Sequence, residues 1–428
     1  KKQFVFLTYI YNSVLRTTYF PLTWKFSVIK MIPKPNKSLH LPTSYRPISL
    51  LPIMGKILEK LLLKRIYPIL ESATVIPTHQ FGFRQQHSTI HQCHRVVDAI
   101  ASSLERKQYC CGAFLDVAQA FDRVWHPGLL WKLKRALPST YYLILLSFLT
   151  DRFFKISCGS ASSDYSLARA GVPQGSILGP LLYTVYTSDL PTDSNTLLCT
   201  YADDTAILSS NSDAITASSH LQTHLHKLEP WAKKWRVKFN PQKCEQITFT
   251  LRRNSCPSVS FNSIPLPSAN LVRYLGMYID KRLTWNPHTK LKRLELNRRN
   301  KLLLRLIGRQ SKLPLEHKRL IYNSVLKPIW TYGLELWGSA KLSNSQKIQS
   351  FQSKILRQIT NSPFYVSNST LHNDLKISYV TDESKSKYRK FFDSLPFCTN
   401  PLIQNLASTT IPDRPPRRLK RCWPRDQL

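Results

Sequence analysis

The sequence predicts a mixed α/β body followed by an all-helical, strongly basic part. Three observations carry that prediction. Short β-branched and aromatic runs, such as the end of "YCCGAFLD" and the hairpin "TLLCTYADDTAILSS", alternate with stretches of helical period up to about residue 280. From residue 288 onward the pattern is helical throughout. Residues 281–310 hold ten Lys or Arg against one acid, Glu295.

Composition narrows the function classes. At 428 residues the chain has room for two or three domains or one interlocked unit. Hydrophobic residues at 42% and charged residues at 20% exclude wholesale disorder. The net charge of +36 points to a polyanionic partner, nucleic acid before an anionic membrane surface. Nine cysteines are scattered with no C-x-x-C pair, which argues against a zinc ribbon or a disulfide framework and for reduced intracellular thiols. No apolar run approaches a membrane span. The opening "KKQFVFLTYIYNSVL" mimics a signal peptide but has no initiating Met and no small-residue cleavage site. It reads as an internal helix, with sequence missing upstream.

Taken in order, "FPLTWKFSVIKMIPKPNK" reads as strands broken by Pro33 and Pro35, and "SYRPISLLPIMGKILEKLLLKRI" as a turn that becomes an amphipathic helix. "HSTIHQCHRVVDAIASSLERKQ" has helical period. "YCCGAFLDVAQAFDRVW" is a strand ending in an acid and then a helical turn, with helices following to about residue 155. "GVPQGSILGPLLYTVYTSDL" is a turn running into a helix; Gly171, Gly175 and Gly179 fall there at a spacing of four. After the hairpin come a helix through "HLQTHLHKLEPWAKKW" and two strands, in "KFNPQKCEQITFT" and "VRYLGMYID". The tail "IPDRPPRRLKRCWPRDQL" reads as an extended basic arm. His87, His91, Cys93 and His94 invite a zinc reading, but their spacing fits no structural zinc site.

The acids are the informative residues. Only 25 Asp and Glu stand against 61 Lys and Arg, yet Asp203 and Asp204 sit side by side at a hairpin reversal. Adjacent carboxylates repel and lose solvation unless a cation or proton neutralises them. Each acid also has an ordinary explanation: Asp favours turns, and Asp116 is placed to cap a helix beginning at "VAQAF". If strand 112–116 pairs beside the hairpin, however, Asp116 faces Asp203 or Asp204. Clustered carboxylates bind hard cations, and Mg²⁺ suits a site shared with phosphates. Two such ions held about 3.5–4 Å apart stabilise both oxygens of an in-line phosphoryl displacement.

"AFLDVAQAFDRV", "GVPQGSILGPLLY", "TYADDTAIL" and "VRYLGMYID" stand in the order and spacing of reverse transcriptases. "YRPISLLPIMGKILEKLL" and "HQFGFRQQHST" narrow the resemblance to non-LTR (LINE-type) retrotransposons, most like the jockey group of insect mobile elements. It runs from about Pro21 to the C-terminal "RRLKRCWPRDQL". The resemblance implies an α+β right-hand polymerase, with fingers and palm interleaved around a small antiparallel sheet. Residues 1–106 would be the N-terminal extension and fingers, 107–280 the palm with an insertion at about 127–170, 281–365 a helical thumb, and 366–428 a basic C-terminal segment.

The same resemblance assigns residues. Asp116 and Asp203 match the family's metal ligands, Asp204 the supporting third acid, and the Val117 carbonyl completes the first metal's shell. The cofactor implied is a pair of Mg²⁺ ions, with Mn²⁺ also suited to such ligands. Phe121 stands where the family places a ring beneath the sugar, a steric reason to admit dNTPs and reject a ribose 2′-OH; it is equally readable as a core Phe. Asp122 is expected to make a structural bond. Gln174 and Gly175 in "PQGS" match positions close to the incoming nucleotide. Arg46, and Lys34 with Lys30 and Lys37 as rivals, match basic groups that grip the triphosphate. Lys243 corresponds to a lysine that protonates the leaving pyrophosphate; Cys244 follows it where many relatives have Thr. Trp330 and Trp337 read as thumb core, and the basic helix 289–309 as a phosphate-contacting face.

The implied activity is RNA-directed DNA polymerisation by target-primed extension. The implied partners are an RNA template, a DNA primer or target, and dNTPs, with no membrane and with an endonuclease domain upstream. Nuclear access follows from the family's life cycle alone. A decayed or domesticated copy that only binds RNA is the alternative; loss of any of the three acids would have favoured it.

Overall fold

In the computed structural model, residues 2–35 and 38–407 are described. Two separate five-stranded sheets organise the first 280 residues. One runs in the order Ser268–Ala269, Glu245–Phe249, Tyr109–Asp116, Asp204–Asn211, Leu197–Tyr201, antiparallel except for its first pair. The other joins Tyr45–Leu50, Phe26–Pro33 and Phe153–Cys158, with the short strands Ala161–Ser162 and Ser166–Leu167 both paired to the last.

The central strand Tyr109–Asp116 is buried along its length until its last residue. Its side chains alternate between two cores, as strand geometry requires. Tyr109, Cys111, Ala113 and Leu115 pack with Leu221, Leu225 and Leu228 of the helix Ala214–Lys234. Cys110 and Phe114 pack with Val96, Val97 and Ile100 of the helix Thr89–Glu105. Helices on both faces explain why "YCCGAFL" reads as a continuous apolar run without alternation. The same arrangement leaves the acidic end of the strand at the rim of the sheet.

The stretch after Asp116 departs from expectation. Residues 118–123 are turns, and the next helix begins at His126, so Asp116 caps no helix. Val117 bridges Phe239, and the Ala118 N–H donates to the Lys238 carbonyl at 2.7 Å, which draws the chain sideways. Helix also ends sooner than expected, at Leu149, because Phe153–Cys158 is taken up as a parallel partner of Phe26–Pro33. The latter strand does end at Pro33, where a ladder donor is lost.

From Asn286 the chain is helical. Asn286–Ile307 packs along Leu342–Thr360 around the fully buried Trp285, Trp330 and Trp337, so the two tryptophans expected in a core lie there. Only His288, Thr289, Leu296 and Ile307 of the first helix are buried, whereas Leu302 is 72% exposed beside its basic neighbours. Beyond residue 366 the helices Asn368–Asp374, Val380–Ser394 and Pro401–Gln404 continue the fold. The arm 411–428 and Lys37 lie outside the described residues. Among the described residues no helix is long and apolar enough to cross a membrane.

Candidate active site

Antiparallel register brings the acids together. Asp116 pairs directly with Asp204, and Tyr201 pairs with Asp204 across the hairpin, so Ala202 and Asp203 form its two-residue reversal. Ala202 takes the left-handed conformation, φ +57°. Direct cross-strand partners share one face of a sheet, with Cβ atoms about 4.5–5.5 Å apart. The question posed by the adjacent acids thus has a geometric answer: they are the end of a ladder whose third acid is Asp116.

The electrostatics follow. Burial, and then repulsion from Asp116, raise Asp203 above the ordinary carboxylate value. Burial, then the charges of Asp203 and Asp116, push Asp204 up to about 6. The Lys243 ammonium donates to Oδ2 of Asp116 at 2.7 Å and is half-exposed. It is delivered by a turn tied to the same strand: the Asn240 N–H donates to the Asp116 carbonyl at 2.8 Å, and the Lys243 N–H to the Asn240 carbonyl at 3.0 Å. The charges of Arg46 and Lys243 act on Asp203 to lower it, and that of Arg273 does so on Asp204.

Among the described residues no three His, Cys, Asp or Glu groups stand arranged as a ready metal cage. The carboxylate of Asp116 is instead engaged by a lysine cation. The donor set nonetheless fits Mg²⁺ or Mn²⁺: hard oxygens, mutual repulsion that a cation relieves, and an ammonium already attracted to the position. Mg²⁺ shared with phosphates needs only one or two protein carboxylates.

Around the acids, the "GVPQGS" loop is fastened to the Phe121 turn. The Val172 N–H donates to the Phe121 carbonyl and the Gly171 N–H to that of Val124, both at 2.8 Å. Gln174 Nε2 donates to both Asp122 oxygens, at 2.9 and 3.0 Å, so Asp122 makes the structural bond expected of it. The Gln174 carbonyl accepts from the Ser49 N–H at 2.7 Å, which links the loop to the strand carrying Arg46. Phe121 is partly buried on a turn, its ring stacked on Tyr183 at 5.0 Å and met edge-on by Phe83 at 5.8 Å. Lys34 donates to the Thr43 carbonyl at 2.8 Å and its charge reaches Asp122. Its rival Lys30 donates to Ser157.

The histidine group makes other contacts. His91 exchanges bonds with Ser88 in a capping box, His94 stacks on Phe391, and Cys93 lies 3.9 Å from the Tyr274 carbonyl.

Two positioning residues escaped the sequence reading. Glu59, 1% exposed, accepts through one carboxylate oxygen from the Ser176 hydroxyl and the Ile177 and Leu178 amides, fixing the loop after Gln174. An acid on the apolar stripe of Leu58, Leu62 and Ile66 was the signal. Gln80, 3% exposed, bonds both sides of Ala202: its Oε1 accepts from the Ala202 N–H at 2.9 Å and its Nε2 donates to the carbonyl at 3.3 Å. Nothing in the local sequence marks it.

Residues 32–279 match the family described as reverse transcriptase (RNA-dependent DNA polymerase). The chain is 40% identical over 433 residues to the probable RNA-directed DNA polymerase from transposon X-element of Drosophila melanogaster, covering all of this chain and 47% of that protein. It is 41% identical over 434 residues to the RNA-directed DNA polymerase from mobile element jockey of the same species, covering 98% of this chain and 47% of that one. The chain thus spans about half the length of these relatives. A solved telomerase of Candida tropicalis, in complex with a fragment of telomeric RNA, aligns with a TM-score of 0.46 at 11% identity, over 92% of this chain and 65% of that one. With the family match covering more than half of its residues, the chain belongs to the reverse transcriptases, the RNA-dependent DNA polymerases.

Proposed function

We propose that this chain is the polymerase part of a non-LTR retrotransposon protein, and that it adds dNTPs to a primer 3′ end on an RNA template. The observation that carries the reading is the register pair Asp116–Asp204 with Asp203 at the adjoining reversal, three acids brought together in a chain of charge +36. In this reading the sheet bearing the acids is the palm, the sheet bearing Arg46 belongs to the fingers, and the helices after residue 281 form the thumb.

Asp116 and Asp203 would hold Mg²⁺ ions with the Val117 carbonyl, and Asp204 would add its charge. Bound there, the ions supply charge stabilisation for the attacking and leaving oxygens of phosphoryl transfer. The chain's own residues do the rest. Lys243 is a positioned ammonium beside the acids, able to give its proton to the departing pyrophosphate. Arg46 and Lys34 offer a guanidinium fork and a point charge to the triphosphate. Phe121, backed by Tyr183, presents a ring to the sugar and leaves no room for a 2′-OH. Gln174 and Gly175 border the nucleotide, with Gln174 oriented by Asp122. The helix Asn286–Ile307 offers its basic face to the phosphates of the template–primer duplex.

The other parts of the reading rest on family likeness alone: target-primed extension, an upstream endonuclease, and work inside the cell with access to the nucleus. Retention of all three acids favours an active enzyme over a copy that only binds RNA. The test is primer extension on an RNA template with dNTPs and Mg²⁺, beside Asp203→Asn. Extension by the wild type that is lost in the variant is expected. Binding of template–primer without extension by the wild type would support the RNA-binding alternative.

A further inference from the structure

The hairpin reversal is held from outside by a loop, and the loop is held by the C-terminal helices. Residues 77–87 run beside the hairpin: the Phe81 N–H donates to the Thr200 carbonyl at 3.0 Å and the Thr200 N–H to the His79 carbonyl at 3.3 Å. Gln80 then closes on Ala202 through its amide, and the same Oε1 accepts from the Gly82 N–H at 2.8 Å. Contact here is so close that a Cβ on Gly82 would lie 2.2 Å from the Ala202 nitrogen. A non-glycine residue at φ +57° is strained and persists only where its surroundings over-determine it. Gln80 is the side chain that does so.

The loop has strain of its own, with Phe83 at φ +60° and Gln86 at +58°. Arg84, bonded to the Pro77 carbonyl, and Gln92, bonded to the His79 carbonyl, restrain it locally, and further restraint comes from residues more than 300 positions away. Asn400, 3% exposed, donates through Nδ2 to the Thr78 carbonyl at 2.9 Å and lies 3.0 Å from His87 Nε2. Its Oδ1 separately accepts from the Leu402 N–H at 3.0 Å, capping the helix Pro401–Gln404. Phe81 and Leu395, Cys398 and Ile403 form a small core of their own, with Tyr201, the residue before the reversal, packed against it. Phe391 stacks on His94 at 4.9 Å.

We propose that the C-terminal segment 380–406 is a brace that sets the position of the Ala202 reversal, and with it Asp203 and Asp204, through the positioning residues Asn400 and Gln80. Neither residue touches the reacting atoms. The brace couples the end of the helical part to the acid cluster, so that a change at residue 400 is felt at residue 203. The catalytic consequence rests on the proposed polymerase function; the mechanical link does not.

The test uses the full chain with Asn400→Asp, which keeps the acceptor that caps Leu402 and removes the donor to Thr78. Hydrogen exchange of the peptide spanning residues 199–205 is expected to speed by about 5- to 10-fold, because a local opening has become easier. In primer extension, half-saturating Mg²⁺ is expected to rise and kcat to fall, each about 3- to 10-fold, with template–primer Kd within about twofold. Gln80→Ala should give the same pattern, and the double variant should be no worse than Gln80→Ala alone, since both act through one contact chain. Ile403→Ala thins the small core of Phe81, Leu395, Cys398 and Ile403 without a substitution in residues 77–87 and covers the case in which Asn400→Asp fails to fold. It should reproduce the faster exchange at 199–205 and the fall in kcat at unchanged Kd, and unchanged exchange there overturns the brace. Unchanged exchange at 199–205 in folded Asn400→Asp overturns the brace, as do effects of Asn400→Asp and Gln80→Ala that simply multiply. If the wild type does not extend primers, the polymerase reading fails, and the exchange measurement still decides the brace.

Discussion

Lys243 Nζ donates to Asp116 Oδ2 at 2.7 Å, across 127 positions of sequence. With the lysine side chain 55% exposed, the pair is screened by solvent and contributes little to stability, on the order of 0–1 kcal/mol. Its importance is local charge. An ammonium on Asp116 repels an arriving Mg²⁺, so Lys243→Met should lower half-saturating Mg²⁺ while lowering kcat by about 10²- to 10⁴-fold, the range of a lost general acid. Rates of primer extension across a Mg²⁺ titration separate the two effects. A midpoint that rises in the variant would mean that Lys243 assists metal binding.

Phe121 lies between Tyr183 and Phe83, with its stacked face fixed by a buried ring. Phe121→Val removes the ring edge without adding a polar group. The ratio of dNTP to rNTP incorporation should fall by about 10- to 100-fold, with dNTP kcat/KM reduced much less. Single-nucleotide extension with paired dNTP and rNTP measures this. An unchanged ratio would leave Phe121 as a core side chain only.

Gly175 has φ +119°, and a Cβ there would sit 2.6 Å from the Ser49 carbonyl oxygen. Gly175→Ala therefore meets both strain and backbone collision, costing about 1–3 kcal/mol. It should also raise the KM for dNTPs, since the loop carrying Gln174 is pushed off the strand carrying Arg46. Thermal melting with and without saturating template–primer and dNTP reads the two parts. A wild-type melting temperature would show that the loop yields freely.

Glu59→Ala removes the acceptor shared by Ser176, Ile177 and Leu178 in a fully buried place. The Ser176 hydroxyl and the Ile177 N–H lose their acceptor, while the Leu178 N–H keeps Ser176 Oγ at 3.2 Å; the loss is about 3–5 kcal/mol, with Glu59→Gln less severe because one oxygen remains. Urea unfolding of both variants checks the order, and Gln falling as far as Ala would contradict it.

What the sequence disclosed and what it hid divide along a physical line. The acid cluster was legible in part: the hairpin pattern puts Asp203 and Asp204 at its reversal, but that Asp116 faces them depended on its strand pairing there, and only the register shows that its partner is Asp204. Asp122 was legible as a structural acid, although its partner being Gln174 was not. The turn at 118–123 was misread as helix because "VAQAFDRV" carries good helix formers, while the deciding bonds, to Lys238 and Phe239, come from over a hundred residues away. Gln80 and Asn400 were invisible for the same reason: a polar residue bonding distant backbone leaves no periodic trace. In "LKRLELNRRNKLLLRLIGRQ" leucines alternate with basic residues, and Leu302, Leu304 and Leu306 are exposed because only a narrow stripe of that helix meets the core, a limit that the alternation does not disclose.

His288 supplies a pH-dependent prediction. It is fully buried among Trp285, Trp337 and Tyr278, and its Nδ1 accepts from the Tyr278 N–H at 3.2 Å. Burial, and then the nearby Lys292 charge, lower it to about 3, so it is neutral in the folded chain. Unfolding releases it to its ordinary value near 6.5, and the unfolded chain then binds the extra proton. Its contribution to stability is therefore complete above about pH 6.5 and is lost as pH falls from there towards 3, at up to about 1.4 kcal/mol per pH unit. His79, His91 and His94, each lowered to about 4 with burial the first cause, act in the same direction. Asp204, raised to about 6, acts in the opposite one, because the folded chain takes up its proton first. Comparing wild type with His288→Gln cancels these shared contributions. Between pH 7 and pH 5 the melting temperature of the variant should fall less steeply than that of the wild type. Parallel curves would mean that His288 takes up its proton as readily in the folded chain as in the unfolded one, and so does not contribute to the pH dependence.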